Sequence, residues 1–376
     1  MPAIEDVGLG DSRSVLIADG RVSSGGAARI LNGRVSGNGD DLVMQQAPPV
    51  NSKANERRTG AKQFGPLRVG AGKLRARAVW AAGMECGATA GDVSDASAEI
   101  SRLTLVGGGS GALVRVPERL SSRSETALRH HAGAARTVAS ATVTAGRISL
   151  VDNEVRIRML RAPELRVSMT AGGESRVDYR PAVVEVTTRN GKQARLTTAG
   201  DHIDVTLSEK MRPLESLPGR LVPIGDLPLP KVPGIPALGE PESTPAPVGK
   251  PGSTLRITLG DVRQAASKDA IAARATAVRV TLTRNEDSGR GASGYGPYGV
   301  VADLGIGMLE AAAVAPTSGH GVSSGAVEPG AGGGGGSSGT GLPITGPGAM
   351  SLFIAGAAMV FGGIAAVLLT ARRRNP

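Results

Sequence analysis

"VVEVTTRNGKQARLTT", Val183–Thr198, is the stretch that decides how this chain folds. Two runs rich in β-forming residues flank Asn190-Gly191, a dipeptide whose members tolerate positive φ and so close a tight hairpin. The same grammar extends outward. In "NEVRIRML", Asn153–Leu160, the apolar Val155, Ile157 and Met159 alternate with Arg156 and Arg158. In "KLRARAVWAAGMECG", Lys73–Gly87, Leu74, Ala76, Ala78 and Trp80 alternate with Arg75 and Arg77. A half-buried strand requires this period of two, because successive side chains point to opposite faces. "DHIDVTL", Asp201–Leu207, and "STLRITL", Ser253–Leu259, continue it. "ARATAVRVTL", Ala273–Leu282, is similar to the arrangement around Trp80, which fits repeated sheet units and fits chance in an Ala/Arg/Val-rich chain equally well. The expected fold class is mainly β, with antiparallel, sandwich-like sheets. One segment reads as a short helix: Ser122 and Glu125 have the capping-box spacing ahead of "TALRHHAGAA", Thr126–Ala135.

Catalytic constellations are scarce. There is no H-E-x-x-H, G-x-S-x-G, Walker-type loop or EF-hand loop. Adjacent His130 and His131 point about 100° apart on a helix and to opposite faces on a strand, which suits no chelate. The glycines of "VGGGSGALV", Val106–Val114, lack the spacing and the following lysine of a phosphate cradle, so a turn is expected there. Asp201, His202 and Asp204 form the densest polar cluster. On a strand His202 and Asp204 share a face, so a histidine–carboxylate pair is geometrically open to them, against the plainer reading of a solvated face. The single cysteine, Cys86, excludes a disulfide within the chain and any cysteine-based metal cluster, and reads as a buried thiol. No cofactor and no metal are expected.

Aromatic side chains make up 2% of the chain, and two of the three phenylalanines, Phe353 and Phe361, fall in the C-terminal apolar run. Sugar-binding and base-stacking surfaces depend on exposed rings, so both functions are disfavoured and no nucleic acid is expected as a partner. Tyr295 and Tyr298 are read as covering a small sheet. The formal net charge of +10 invites anionic partners such as envelope polymers. Its arginines are dispersed along the strands rather than massed in blocks, apart from "NERRTGAKQ", Asn55–Gln63, so a solvated polar face is the default reading.

The chain closes with "LPITGPGAMSLFIAGAAMVFGGIAAVLLTARRR", Leu342–Arg374. Ser351 to Ala371 carries no charge, and about 20 such residues at ~1.5 Å rise span a hydrocarbon core of ~30 Å. Arg372, Arg373 and Arg374 follow at once, and an arginine cluster beside a span stays on the cytoplasmic side. Leu342, Pro343, Ile344, Thr345 and Gly346, the span and the arginines together resemble the cell-wall sorting signal of Gram-positive surface proteins, whose pentapeptide reads L-P-x-T-G. All four fixed positions match. The resemblance implies that a sortase cysteine cleaves Thr345–Gly346 and passes the threonine carbonyl to a peptidoglycan precursor, so the chain is a substrate and not an enzyme. It also implies a cell-surface location, with the span in the membrane before cleavage. Pro343 fixes its own φ and biases Leu342 toward an extended form that suits an enzyme groove. The resemblance covers about the last thirty-five residues.

The expected organisation follows. Residues 1–62 form a partly disordered N-terminal segment and 63–210 a β-rich ectodomain. Residues 211–252 are a Pro-rich linker in extended polyproline form. Residues 253–315 are a further β-rich segment, packing on the first or standing alone. Residues 316–341, with "AGGGGGSSGTG", Ala331–Gly341, are a flexible stalk. Then come the sorting motif 342–346, the span 351–371 and the tail 372–376. "MPAIEDVGLGDSRSVLIADG" has no apolar core of leader length, and the reading favours a leader encoded upstream. The composition points to a high-GC, actinobacterial source. Scarce aromatics, few histidines and no catalytic motif favour a displayed structural or interaction protein. The alternatives are a wall-anchored enzyme built on His202 and Asp204, and a plain single-pass membrane protein.

Overall fold

A computed structural model describes residues 8–17, 23–32, 42–48, 53–64, 67–81, 83–84, 89–106, 111–131, 133–207, 252–285 and 298–316. Every regular element among them is a strand, and all the strand pairings are antiparallel. All of them belong to one compact unit within residues 1–322.

β1 (Gly8–Ile17), β2 (Ser23–Asn32) and β3 (Leu42–Ala47) form a three-stranded sheet inside the segment expected to be partly disordered. From there the chain follows one rule. A strand crosses the fold, turns a corner at a short Gly- or Pro-bearing break and continues as a strand of a second sheet. β4 (Asn55–Thr59) turns at Gly60 into β5 (Lys62–Phe64), and β6 (Leu67–Val69) turns at Gly70 into β7 (Gly72–Ala78). β8 (Gly91–Ile100) leads to β9 (Leu103–Val106), and β10 (Ala112–Val116) turns at Pro117 into β11 (Leu120–His131). β12 (Ala134–Ala145) turns at Gly146 into β13 (Arg147–Leu150), and β14 (Val155–Arg161) turns at Pro163 into β15 (Glu164–Thr170). β16 (Ser175–Arg180) turns at Pro181 into β17 (Val183–Thr188), which pairs with β18 (Gln193–Leu196). Proline and glycine break the ladder locally and re-aim the strand, which is why they occupy most of the corners.

The outcome is two meandering sheets joined along one line of corners. A seven-stranded sheet runs β16-β15-β12-β11-β8-β7-β4 and an eight-stranded sheet runs β18-β17-β14-β13-β10-β9-β6-β5. The last sheet contains β19 (His202–Thr206), β20 (Gly252–Leu259), β21 (Val262–Ala266), β22 (Ala270–Asn285) and β23 (Tyr298–Val314). β22 is its spine: β20 and β21 share one edge of it and β23 follows the other along its length. β1, β2 and β3 lie against β7, β8 and β11, while β22 and β23 lie against β12 and β15. One hydrophobic core runs through all of this, from Ile30 and Leu74 through Ile148, Ile157 and Leu165 to Ile257 and Leu282.

The hairpin expected at Asn190-Gly191 is present. Gly191 alone takes positive φ, at 81°, and donates from its amide to the Thr188 carbonyl at 2.9 Å. The alternation read in 73–80 and 153–160 also holds for Leu74, Ala76, Ala78, Val155 and Ile157, all buried. Trp80 instead lies beyond β7 and packs on a smaller cluster of Leu16, Met84, Val93 and Leu128.

The expected helix after Ser122 does not form. Those residues are β11, paired residue by residue with β8 on one side and β12 on the other. Its buried positions are Leu120, Ser122, Ser124, Thr126 and Leu128. Small hydroxyl residues there let β1 approach, and Ser14 Oγ lies 2.9 Å from Thr126 Oγ1. A period of two written in serine and threonine carries no hydropathy signal, while the capping-box spacing does catch the eye.

Candidate functional site

Two cross-strand ion pairs meet where the N-terminal sheet adjoins β23. Asp11 of β1 stands opposite Arg29 of β2, and Arg274 of β22 stands opposite Glu310 of β23. Arg13 joins them: its guanidinium is 3.1 Å from Asp11 and 3.1 Å from Glu310. Arg274 lies 2.6 Å from Glu310, and both are almost wholly buried, with side chains 6% and 5% exposed. Burial holds the Glu310 carboxyl above the usual carboxylate range, with Arg13 and Arg274 pulling against it. Burial likewise lowers Arg29, opposed by the adjacent Asp11. The sequence reading missed this cluster. Its signal was a lone carboxylate in the apolar run "MLEAAAV", Met308–Val314, and a lone arginine in "AARATA", Ala272–Ala277.

Beside the cluster is a cavity of about 40 Å³, lined by Gly10, Asp11, Leu103, Val116, Gly307 and Met308 among others. That volume accommodates a few water molecules. The five charges act as a clasp between chain segments about 300 residues apart in sequence.

The proposed histidine–carboxylate pair is on one face of β19 as expected, with His202 and Asp204 both exposed. Among the described residues no hydrogen bond joins the two. Asp204 is gripped by Arg256 of β20, Nε to Oδ1 at 2.7 Å and a terminal nitrogen to Oδ2 at 2.8 Å, which holds its carboxyl below the usual range. His202 Nδ1 instead lies 3.4 Å from the Gly200 carbonyl. Asp201 accepts from the amides of Thr197 and Thr198 at 2.9 and 2.8 Å, and these bonds lower its pKa too. It is a turn carboxylate. His130 and His131 sit exposed at the end of β11. Among the described residues no group of three His, Cys, Asp or Glu side chains is placed to hold a metal ion.

Tyr179 of β16 donates to the Gly260 carbonyl at 3.2 Å, tying the seven-stranded sheet to the corner between β20 and β21. Burial, with Asp261 nearby, pushes its phenol up to about 12 from 10.0. Between pH 10 and about 12 the unfolded chain releases this proton and the native chain retains it, so stability falls as pH rises through that window. In Tyr179→Phe this part of the alkaline slope is expected to vanish, at a cost of about 1 kcal/mol at neutral pH for the lost hydrogen bond. Thermal melts of both proteins from pH 8 upward check it; equal slopes would show that Tyr179 does not hold its proton through folding.

Cys86, Gly107–Ser110, Tyr295, the sorting motif Leu342–Gly346, the apolar run and Arg372–Arg374 lie outside the described residues. Among the described residues no helix is long and apolar enough to cross a membrane. No family model matches this chain, and neither a curated protein nor a solved structure matches it.

Proposed function

We propose that this chain is a surface-displayed structural or interaction protein that a sortase joins to peptidoglycan by cleaving Thr345–Gly346. The observation that carries the reading is the order of three sequence features: Leu342–Gly346, then the uncharged Ser351–Ala371, then Arg372–Arg374. In this reading Ser351–Ala371 spans the membrane as a helix, and the arginines hold the motif at the outer face until it is cut. The Gly-rich 331–341 supplies reach between the β-rich part and the anchor. The chain supplies the acyl group and the sortase supplies the nucleophile, so no catalytic machinery is required of it. The engagement of Asp204 by Arg256 is in keeping with a non-enzymatic reading.

Walls of the producing cells, extracted with hot detergent and digested with muramidase, test this. The C-terminal peptide is expected to end at Thr345 and to carry the mass of a peptidoglycan stem. A detergent-soluble chain retaining Arg374 would make it a single-pass membrane protein and overturn the proposal.

A further inference from the structure

The outer face of the eight-stranded sheet carries two rows rich in arginine. Strand registry aligns Arg68, Thr104, Arg115, Ser149, Arg156 and Thr187 in one row across β6, β9, β10, β13, β14 and β17. A second row, one pleat along, holds Arg147, Arg158, Glu185 and Arg195. All six arginines are exposed. Arg147 is 3.7 Å from Glu118, while the other five make no ion pair among the described residues. Arginines separated by one intervening strand recur about every 10 Å in the first row, with a hydroxyl side chain between them.

The seven-stranded sheet, built from the same kind of alternating strands, pairs many of its outer cations with carboxylates. Arg75 bridges Glu56 and Asp95, Arg123 bridges Glu125, and Arg180 lies near both Glu164 and Asp178. On the eight-stranded sheet Arg147 stands directly opposite Arg158, an arrangement that costs stability. Like charges also face each other on the seven-stranded sheet, Arg58 opposite Lys73 and Arg129 opposite Arg136, but there Lys73, Arg129 and Arg136 each have a carboxylate within 4 Å. On the eight-stranded sheet neither Arg158 nor the first row of arginines has one among the described residues, which points to a partner outside the chain. Net charge had suggested dispersed arginines on solvated faces; folding gathers six of them on one.

We infer that this face binds a linear polyol-phosphate polymer lying across the strands, an inference that rests on the envelope location proposed above. The face is an open sheet, so only an extended ligand reaches several arginines at once. The guanidinium fork matches phosphate oxygens, and the interleaved Thr104, Ser149 and Thr187 offer hydroxyls to the same chain. No position in either row is aromatic, so nothing there stacks a sugar ring or a base. Charge and hydrogen bonding alone carry recognition, as a phosphodiester chain joined by flexible polyol units allows.

The test uses the full chain in mild detergent and immobilised poly(glycerol phosphate), with polygalacturonate and oligo(dT) as competitors. Binding is expected to weaken steeply with salt. R68Q/R115Q/R156Q is expected to lose about tenfold or more in affinity and to flatten the salt slope by about two. R57Q/R58Q/R176Q removes the same charge from the seven-stranded sheet and is expected to change affinity less than about twofold. R68K/R115K/R156K keeps the charge without the fork and is expected to fall between the triple glutamine variant and the native chain. Should the triple glutamine variant melt early, R115Q alone and the lysine variant carry the same comparison. Equal loss in the two glutamine variants, equal competition by polygalacturonate or oligo(dT), or no binding at low salt would each overturn the inference. Binding by the purified chain needs no sortase, so failed anchoring and failed polymer binding are told apart.

Discussion

Replacing Glu310 with alanine is expected to destabilise the protein by about 3–5 kcal/mol, the usual cost of leaving a buried charge without its partner. Arg274 would keep a guanidinium 6% exposed with no carboxylate opposite, and Arg13 would lose its tie across the sheet boundary. Removing both members of the cross-strand pair with apolar residues, as in R274M/E310L, is expected to recover most of that loss, because a well-packed apolar pair often equals a buried ion pair. Urea unfolding of the three proteins checks this, and a single variant within about 1 kcal/mol of the native chain would show that the clasp holds nothing. The pH dependence has a fixed sign. Burial raises the Glu310 carboxyl above its ordinary 4.5, so above that pH the unfolded chain releases a proton that the native chain retains. This group therefore makes stability fall as pH rises from 4.5 through its raised value, and Glu310→Gln is expected to remove that slope.

Gly260→Ala is expected to cost about 3 kcal/mol, at the upper end for overpacking a filled site. The corner between β20 and β21 brings Gly260 against the backbone of β22: an added Cβ would lie 2.8 Å from the Thr276 carbonyl carbon and closer still to its oxygen. Backbone atoms in a paired strand cannot rotate aside as a side chain would. Gly307, on β23, marks the matching bend there: its φ is +75°, and an added Cβ would lie 2.9 Å from Val143 Cγ1. Gly111→Ala, whose nearest neighbour is the Asp152 Cβ at 3.9 Å, serves as the comparison and is expected to change little. Thermal melts of the Gly260 and Gly111 variants decide the matter, and equal midpoints would mean that the corner gives way without cost.

Strands whose buried positions are aliphatic were legible, since Leu74, Ala76 and Ala78 or Val155 and Ile157 announce a period of two without any partner being known. β11 was not, because its buried face includes Ser122, Ser124 and Thr126, and hydroxyls pass for surface. β2 escaped notice for a related reason: its first six residues are Ser, Gly and Ala and give the eye no apolar period. The histidine–carboxylate geometry on β19 was read correctly as shared facing, yet the partner that claims Asp204 lies 52 residues away on β20, and no local pattern reveals it. The arginine rows were hidden in a similar way. Each arginine is an ordinary surface residue of its own strand, and only the registry of consecutive hairpins puts Arg68, Arg115 and Arg156 in line.

The meander also sets an order of assembly. In the seven- and eight-stranded sheets each strand pairs with one close to it in sequence, so these sheets can grow as the chain emerges from its N-terminal side. Local pairings of this kind close small loops and form early. β1 is made long before β23, yet Arg13 meets Glu310 only after β23 has been added. A chain stopped anywhere short of residue 310 would lack that contact, and one stopped before β23 would leave β12 and β15 without a strand that packs on them. The clasp thus ties an early stretch of the chain to a late one, and it is complete only in a chain made through residue 310.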